Sequence, residues 1–207
     1  MFIIMITNNI KKIIRLLNFR EDVFYYLEIL QRKKDNSNIT KDRKIYQRFI
    51  TSLKELREIL EDIKILCKIY NARAYISLIP KSNEKFTKEC LRAFTDKVCS
   101  NNYKNTFLIP EKIVLLPQTT TQDKVWILDV DVKDEDYIDD FVRVFEEKLS
   151  TRIIETLDTI NGYHVIVDPF NLRHESLIDL KDDNYRVDKF EFTLRKEALT
   201  VLYADIT

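Results

Sequence analysis

Apolar positions along the chain follow two periods, and the switches between them mark out the elements. Residues 8–19 place Ile10, Ile13, Ile14 and Leu17 on one helical face. Residues 24–32 (FYYLEILQR) read as a strand, although the same run also suits a helix. A polar stretch over 33–42 separates them from the alternating run 44–50 (KIYQRFI), so the two form a candidate hairpin. Leu53, Leu56, Ile59, Leu60, Ile63 and Cys67 give one face to a helix over 53–70, which Thr51 or Ser52 can cap. Residues 72–79 read as a strand stopped by Pro80, and 84–100 as a helix. Residues 101–121 read as irregular chain broken by Pro110 and Pro117. The strongest strand follows at 124–132 (KVWILDVDV). Residues 134–149 then form a helix whose acidic start suits the helix dipole. Residues 152–159 and 163–167 are strands about the Asn161-Gly162 turn, while 190–194 and 199–205 are short strands or partly irregular.

Helices alternate with strands from residue 44 onward, which predicts an α/β or α+β fold with one central sheet. The order strand–helix–strand–strand over 124–168 opens a ferredoxin-like or RNA-recognition-motif-like unit. The loop at 101–121 is the best seam. It divides an N-terminal α/β unit, 1–121, from an RNA-recognition-motif-like unit, 122–207, within one compact domain.

At 207 residues, 45% hydrophobic and 33% charged, the chain can bury a core and remain soluble. Lys plus Arg and Asp plus Glu are both 34, so no global basic excess advertises nucleic acid. A neutral total still fits a protein whose acids hold metals and whose bases line a groove. Cys67, Cys90 and Cys99 form no CxxC pair and read as reduced thiols. With two histidines, neither near a cysteine in sequence, a zinc site has little support. The apolar start, 1–6, is too short to span a bilayer and is followed by Lys11, Lys12 and Arg15. A cytoplasmic location without a membrane partner is expected, in a host cell if the protein is viral.

Asp129 and Asp131 are two apart on the strongest strand and so point to one face. Two neighbouring carboxylates repel, and burying them unpaired is costly; Mg²⁺ or Mn²⁺ relieves both. The plainer alternative is that they mark the exposed end of a strand before Lys133. Gly162 is the single glycine, where average usage is about 7%. It is expected where φ is positive or a ligand approaches closely. His164 follows at the mouth of a strand, where it can reach a phosphate or simply be satisfied by a hydrogen bond. His174 is expected to be exposed. Arg32, Arg73, Lys81, Arg173 and Arg195 could meet phosphates or be solvated charges. Tyr25 and Tyr26 could stack bases or fill the core.

Trp126-Ile127-Leu128-Asp129-Val130-Asp131, then a helix, then Asn161-Gly162-Tyr163-His164-Val165-Ile166 resembles the archaeo-eukaryotic primase-polymerase superfamily. QRKKDN (31–36), ARAYI (72–76) and NGYHVIVDPFN (161–171) look like a group of small phage-encoded proteins of primase-like type. The resemblance implies a metal-dependent nucleotidyltransferase acting on nucleoside triphosphates and a DNA or RNA template, with other replication proteins as further partners. Asp129 and Asp131 would hold two divalent ions, and His164 would contact the triphosphate. Gly162 and Arg73 would help to bind the nucleotide. For the family's third acid the candidate is Asp205, with Glu191 and Asp168 behind it; none matches the motif closely. The alternatives are an inactive, nucleic-acid-binding replication accessory, a viral inhibitor of a host factor, or a nuclease using the same metals.

Overall fold

A computed structural model describes residues 5–196 and 199–206. The fold is α+β. It has five α-helices among the described residues, and two six-stranded antiparallel sheets stand where one central sheet is expected. The first sheet has the order β1 (Met5–Asn8), β12 (Leu199–Ile206), β4 (Arg73–Ser77), β2 (Val23–Gln31), β3 (Arg43–Ile50), with the short β5 (Lys81–Ser82) beside the start of β2. The second has the order β7 (Ile153–Asp158), β8 (Tyr163–Val167), β6 (Trp126–Val130), β11 (Phe190–Arg195), β10 (Asn184–Val187), β9 (Leu177–Lys181).

Helix α2 (Leu53–Tyr70) starts where Ser52 accepts a hydrogen bond from the Glu55 amide. It ends at Asn71 in the left-handed conformation, a residue type that tolerates it. Its buried Leu56, Ile59, Ile63 and Cys67 pack with Leu27, Ile29, Ala74 and Ile76 of the first sheet. The shorter α1 (Ile10–Leu16) adds Ile10 and Ile13 to that core. Helix α5 (Glu135–Leu149) is capped by Asp134, which accepts from the Tyr137 amide at 2.7 Å. Its Phe141 and Phe145 pack against Phe190 and Phe192 on the second sheet. On the opposite side of the first sheet, α3 (Asn83–Cys99) and α4 (Ile109–Ile113) cover Phe24 and Tyr26 through Phe86 and Val114. The segment read as irregular thus contains one short helix and turns of 3-10 helix.

The alternation of β6 decides where the chemistry points. Leu128 and Val130 face α5, whereas Ile127 joins the core of the first sheet with Leu157 and Ile166. Asp129 shares Ile127's face and so looks toward the first sheet. The seam at residue 121 divides the sheets for every strand but one. β12 belongs to the later unit by sequence and pairs with β4 and β1 in the first sheet.

Candidate functional site

Five separated stretches of sequence meet at one polar cleft of about 170 Å³ between the sheets. Arg32 and Lys34 come from the turn after β2, Arg73 and Tyr75 from β4, and Asn161 and His164 from the β7–β8 turn and β8. Asp129, Asp131, Thr159 and Arg195 complete the polar lining. The turn after β2 is docked by its own side chains. Asn36 donates to the carbonyls of Arg32 and Asn71 at 3.0 and 2.9 Å, and Asn71 donates to that of Asp35 at 2.9 Å. Arg73 grips Asp35 with two hydrogen bonds, 2.7 and 2.5 Å, and both side chains are over 90% buried. Arg32 donates to Tyr75 Oη at 3.2 Å. Burial, followed by the charges of Arg73 and Arg32, lowers the pKa of Lys34.

The opposite wall is acidic. Asp129 and His164 are directly paired across β6 and β8, and His164 Nε2 lies 3.4 Å from Asp129 Oδ1. The other ring nitrogen, Nδ1, is 2.9 Å from the buried Thr200 hydroxyl of β12. Arg195 donates to Asp129 Oδ2 from the end of β11. Burial pushes the Asp129 pKa up, but His164 and Arg195 outweigh it and hold the carboxyl below its ordinary value. Asp131, just past the end of β6, is exposed and has no ion-pair partner among the described residues.

Gly162 does not have positive φ. What excludes a side chain there is the chain itself: a Cβ would lie 1.9 Å from the Val130 carbonyl oxygen and 2.9 Å from the Val132 amide nitrogen. The glycine lets the β7–β8 turn close against the backbone on either side of Asp131. Thr159 fastens the turn, its hydroxyl accepting from the Gly162 amide at 3.0 Å and its amide donating to the Gly162 carbonyl at 2.9 Å. Lys133 adds hydrogen bonds to Asp158 and the Thr159 carbonyl, 2.8 and 3.1 Å.

Other expected residues lie elsewhere. Asp205 is not in the cleft. Its neighbours Ala204 and Ile206 pack with Tyr75 and Val201, which puts Asp205 on the α2 face, where its charge acts on Cys67 and Tyr203. Asp168 follows β8, and its carbonyl receives the Thr151 hydroxyl. Glu191 lines a hollow of about 400 Å³ that adjoins the cleft and shares Asp129 and Asp131 with it. Lys81 is buried in β5, Arg173 is exposed in a loop, and Tyr25 and Tyr26 are core residues. His174 is half-buried rather than exposed, its Nδ1 accepting from the Ser176 amide at 3.2 Å. Sequence reasoning passed over Lys34, Tyr75, Thr159 and Thr200. Lys34 lies inside QRKKDN and Tyr75 inside ARAYI, so the stretches held a clue that single residues did not. No protein-family model, curated protein or solved structure matches the chain.

Proposed function

We propose that this protein is a divalent-metal-dependent nucleotidyltransferase of primase-polymerase type, acting on nucleoside triphosphates and a nucleic-acid template. The observation that carries the reading is the meeting of Asp129, Asp131 and His164 with Arg32, Lys34, Arg73 and Arg195 around one cleft. The strand order β11-β6-β8-β7, with α5 crossing between the parallel β6 and β7, supports an RNA-recognition-motif-like unit. The β9–β10 hairpin stands where a second helix would complete that pattern.

The donor set suits Mg²⁺ or Mn²⁺. Asp129 and Asp131 offer hard oxygen ligands, and no group of three candidate ligands occurs among the described residues. Two carboxylates suffice for Mg²⁺, which commonly keeps several waters and takes its remaining ligands from substrate phosphates. Bound there, divalent ions would neutralise charge developing on the phosphoryl oxygens and align the attacking hydroxyl. The protein's own part is positioning. Lys34 presents positive charge to the triphosphate beside Arg32 and Arg73, which are paired with Asp42 and Asp35; His164 is braced by Thr200, and Arg195, paired with Asp129 here, would release it when metal binds. The reaction class is attack of a 3′-hydroxyl oxygen on the α-phosphorus, with pyrophosphate leaving.

The Arg195–Asp129 pair favours a second reading, in which nucleotide or nucleic acid is bound without transfer. Mn²⁺-dependent incorporation on primed and unprimed single-stranded templates separates the two. Incorporation that disappears in Asp129→Ala/Asp131→Ala supports transfer. Nucleotide binding without any incorporation supports the second reading, and neither binding nor incorporation defeats both.

A further inference from the structure

Away from the cleft, α3, α4 and the loop between them enclose a hollow of about 300 Å³ with an apolar floor. Lys97, Lys104 and Lys112 line it with Asn102 and Asn105, and no acidic residue does. None of the three lysines has an ion-pair partner among the described residues. In a chain with equal numbers of acids and bases, this is a local concentration of unneutralised charge.

The loop that supplies Lys104 also carries two large aromatics at its surface, Tyr103 at 60% exposure and Phe107 at 76%. Fixed turn geometry presents them. Asn101 and Asn105 adopt left-handed φ of 50° and 58°, and the Asn102 amide donates back to the Lys97 carbonyl at 3.0 Å. The patch sits on the cleft's side of the first sheet, because α3 and α4 cover the Phe24–Tyr26 end of the β2 face that leads on to Arg32. From Tyr26 to Arg32 the strand advances about 20 Å.

Unpaired lysines track a phosphate backbone, and exposed rings stack on unpaired bases without regard to sequence. We infer that the α3–α4 surface is a second site that binds single-stranded nucleic acid, through phosphate contacts to Lys97, Lys104 and Lys112 and base stacking on Tyr103 and Phe107. The inference deepens the proposed function and rests on it for the identity of the occupant.

Fluorescence anisotropy of a labelled oligothymidylate with the full chain in EDTA tests the site without metal. The wild type should bind with an affinity that falls steeply with salt. Lys97→Ala/Lys104→Ala/Lys112→Ala should weaken binding and flatten the log–log salt slope by about 2. Tyr103→Ala and Phe107→Ala should each weaken it about tenfold and leave the slope unchanged. Both rings are exposed, so an unchanged melting temperature is expected and verifies folding. Wild-type binding retained by the lysine variant, or no binding at all, overturns the inference. So does aromatic-independent binding that polyglutamate competes away equally well, which points to an acidic protein partner. Mn²⁺ and nucleotide binding, measured separately, keeps the two readings distinguishable: binding by the wild type that is lost in Asp129→Asn/Asp131→Asn upholds the cleft reading whatever the patch does, and a wild type that binds neither defeats the cleft reading alone.

Discussion

The two walls of the cleft hold their charges in opposite ways. On the first-sheet wall, Arg73 and Asp35 are both buried and locked by two hydrogen bonds in a turn stitched by Asn36 and Asn71. On the second-sheet wall, Asp129 is equally buried, but Arg195, which neutralises it, is 47% exposed. A buried pair is fixed because either partner alone would be stranded in low dielectric. A pair with one solvated member can exchange, since water takes the departing guanidinium. The basic wall is therefore preorganised, and the acidic wall can trade its cation for another.

The sharpest test of that contrast is Asp35→Ala, which strands Arg73 and should cost about 3–5 kcal/mol in chemical denaturation. A loss no greater than that of Arg195→Ala would make the two walls alike. Gly162→Ala should cost about 1–3 kcal/mol, because the backbone around Asp131 must move to admit the methyl group. It should also weaken Mn²⁺ binding, measured from the free-ion electron paramagnetic resonance signal. Arg195→Ala should cost about 1–3 kcal/mol, less than Asp35→Ala, because it leaves the buried Asp129 with His164 alone. Without nucleotide it should raise Mn²⁺ affinity, as Asp129 loses its competing cation; unchanged affinity would mean that the pair does not guard the metal site. The depressed Asp129 pKa gives the fourth prediction. Its contribution to stability is complete above the ordinary aspartate value of about 3.9 and is lost as the pH falls through the lower folded value. Asp129→Asn should be less stable than wild type at neutral pH, with the gap closing on acidification in denaturant titrations. The smallest effect concerns thiols outside the cleft. Burial pushes Cys67 up to about 12, so iodoacetamide should label the exposed Cys99 first.

Periodicity located β6, α2 and α5 because each buries a continuous stripe that its sequence displays. It could not reveal partners. Leu199–Ile206 reads as a strand, but nothing local says that it enters the first sheet between β1 and β4. The expectation of one central sheet failed for the same reason. The β9–β10 hairpin escaped notice because β9 is largely exposed and so shows no apolar alternation. Asp129 and His164, singled out by residue type and spacing, and Arg73, singled out by its place in the resembling stretch, all line the cleft. Asp205 lies outside the cleft lining, and its face could not be read locally because it depends on the irregular pairing of β12 with β4 between Val201 and Tyr203. The role of Gly162 depended on a neighbouring backbone about thirty residues away.

The placement of β12 also has a consequence for the order of assembly. Everything needed for the second sheet, from β6 to β11, is synthesised before β12, yet β1 and β4 have no common neighbour until residues 199–206 emerge. The same strand brings Thr200 to His164. On a ribosome, the nascent chain would carry two waiting strand edges, with pairing delayed by a long loop closure. Strand β12, made after the other described strands, would then close the first sheet and brace the histidine together, so that a chain released before that point could hold most of the fold but not the finished cleft.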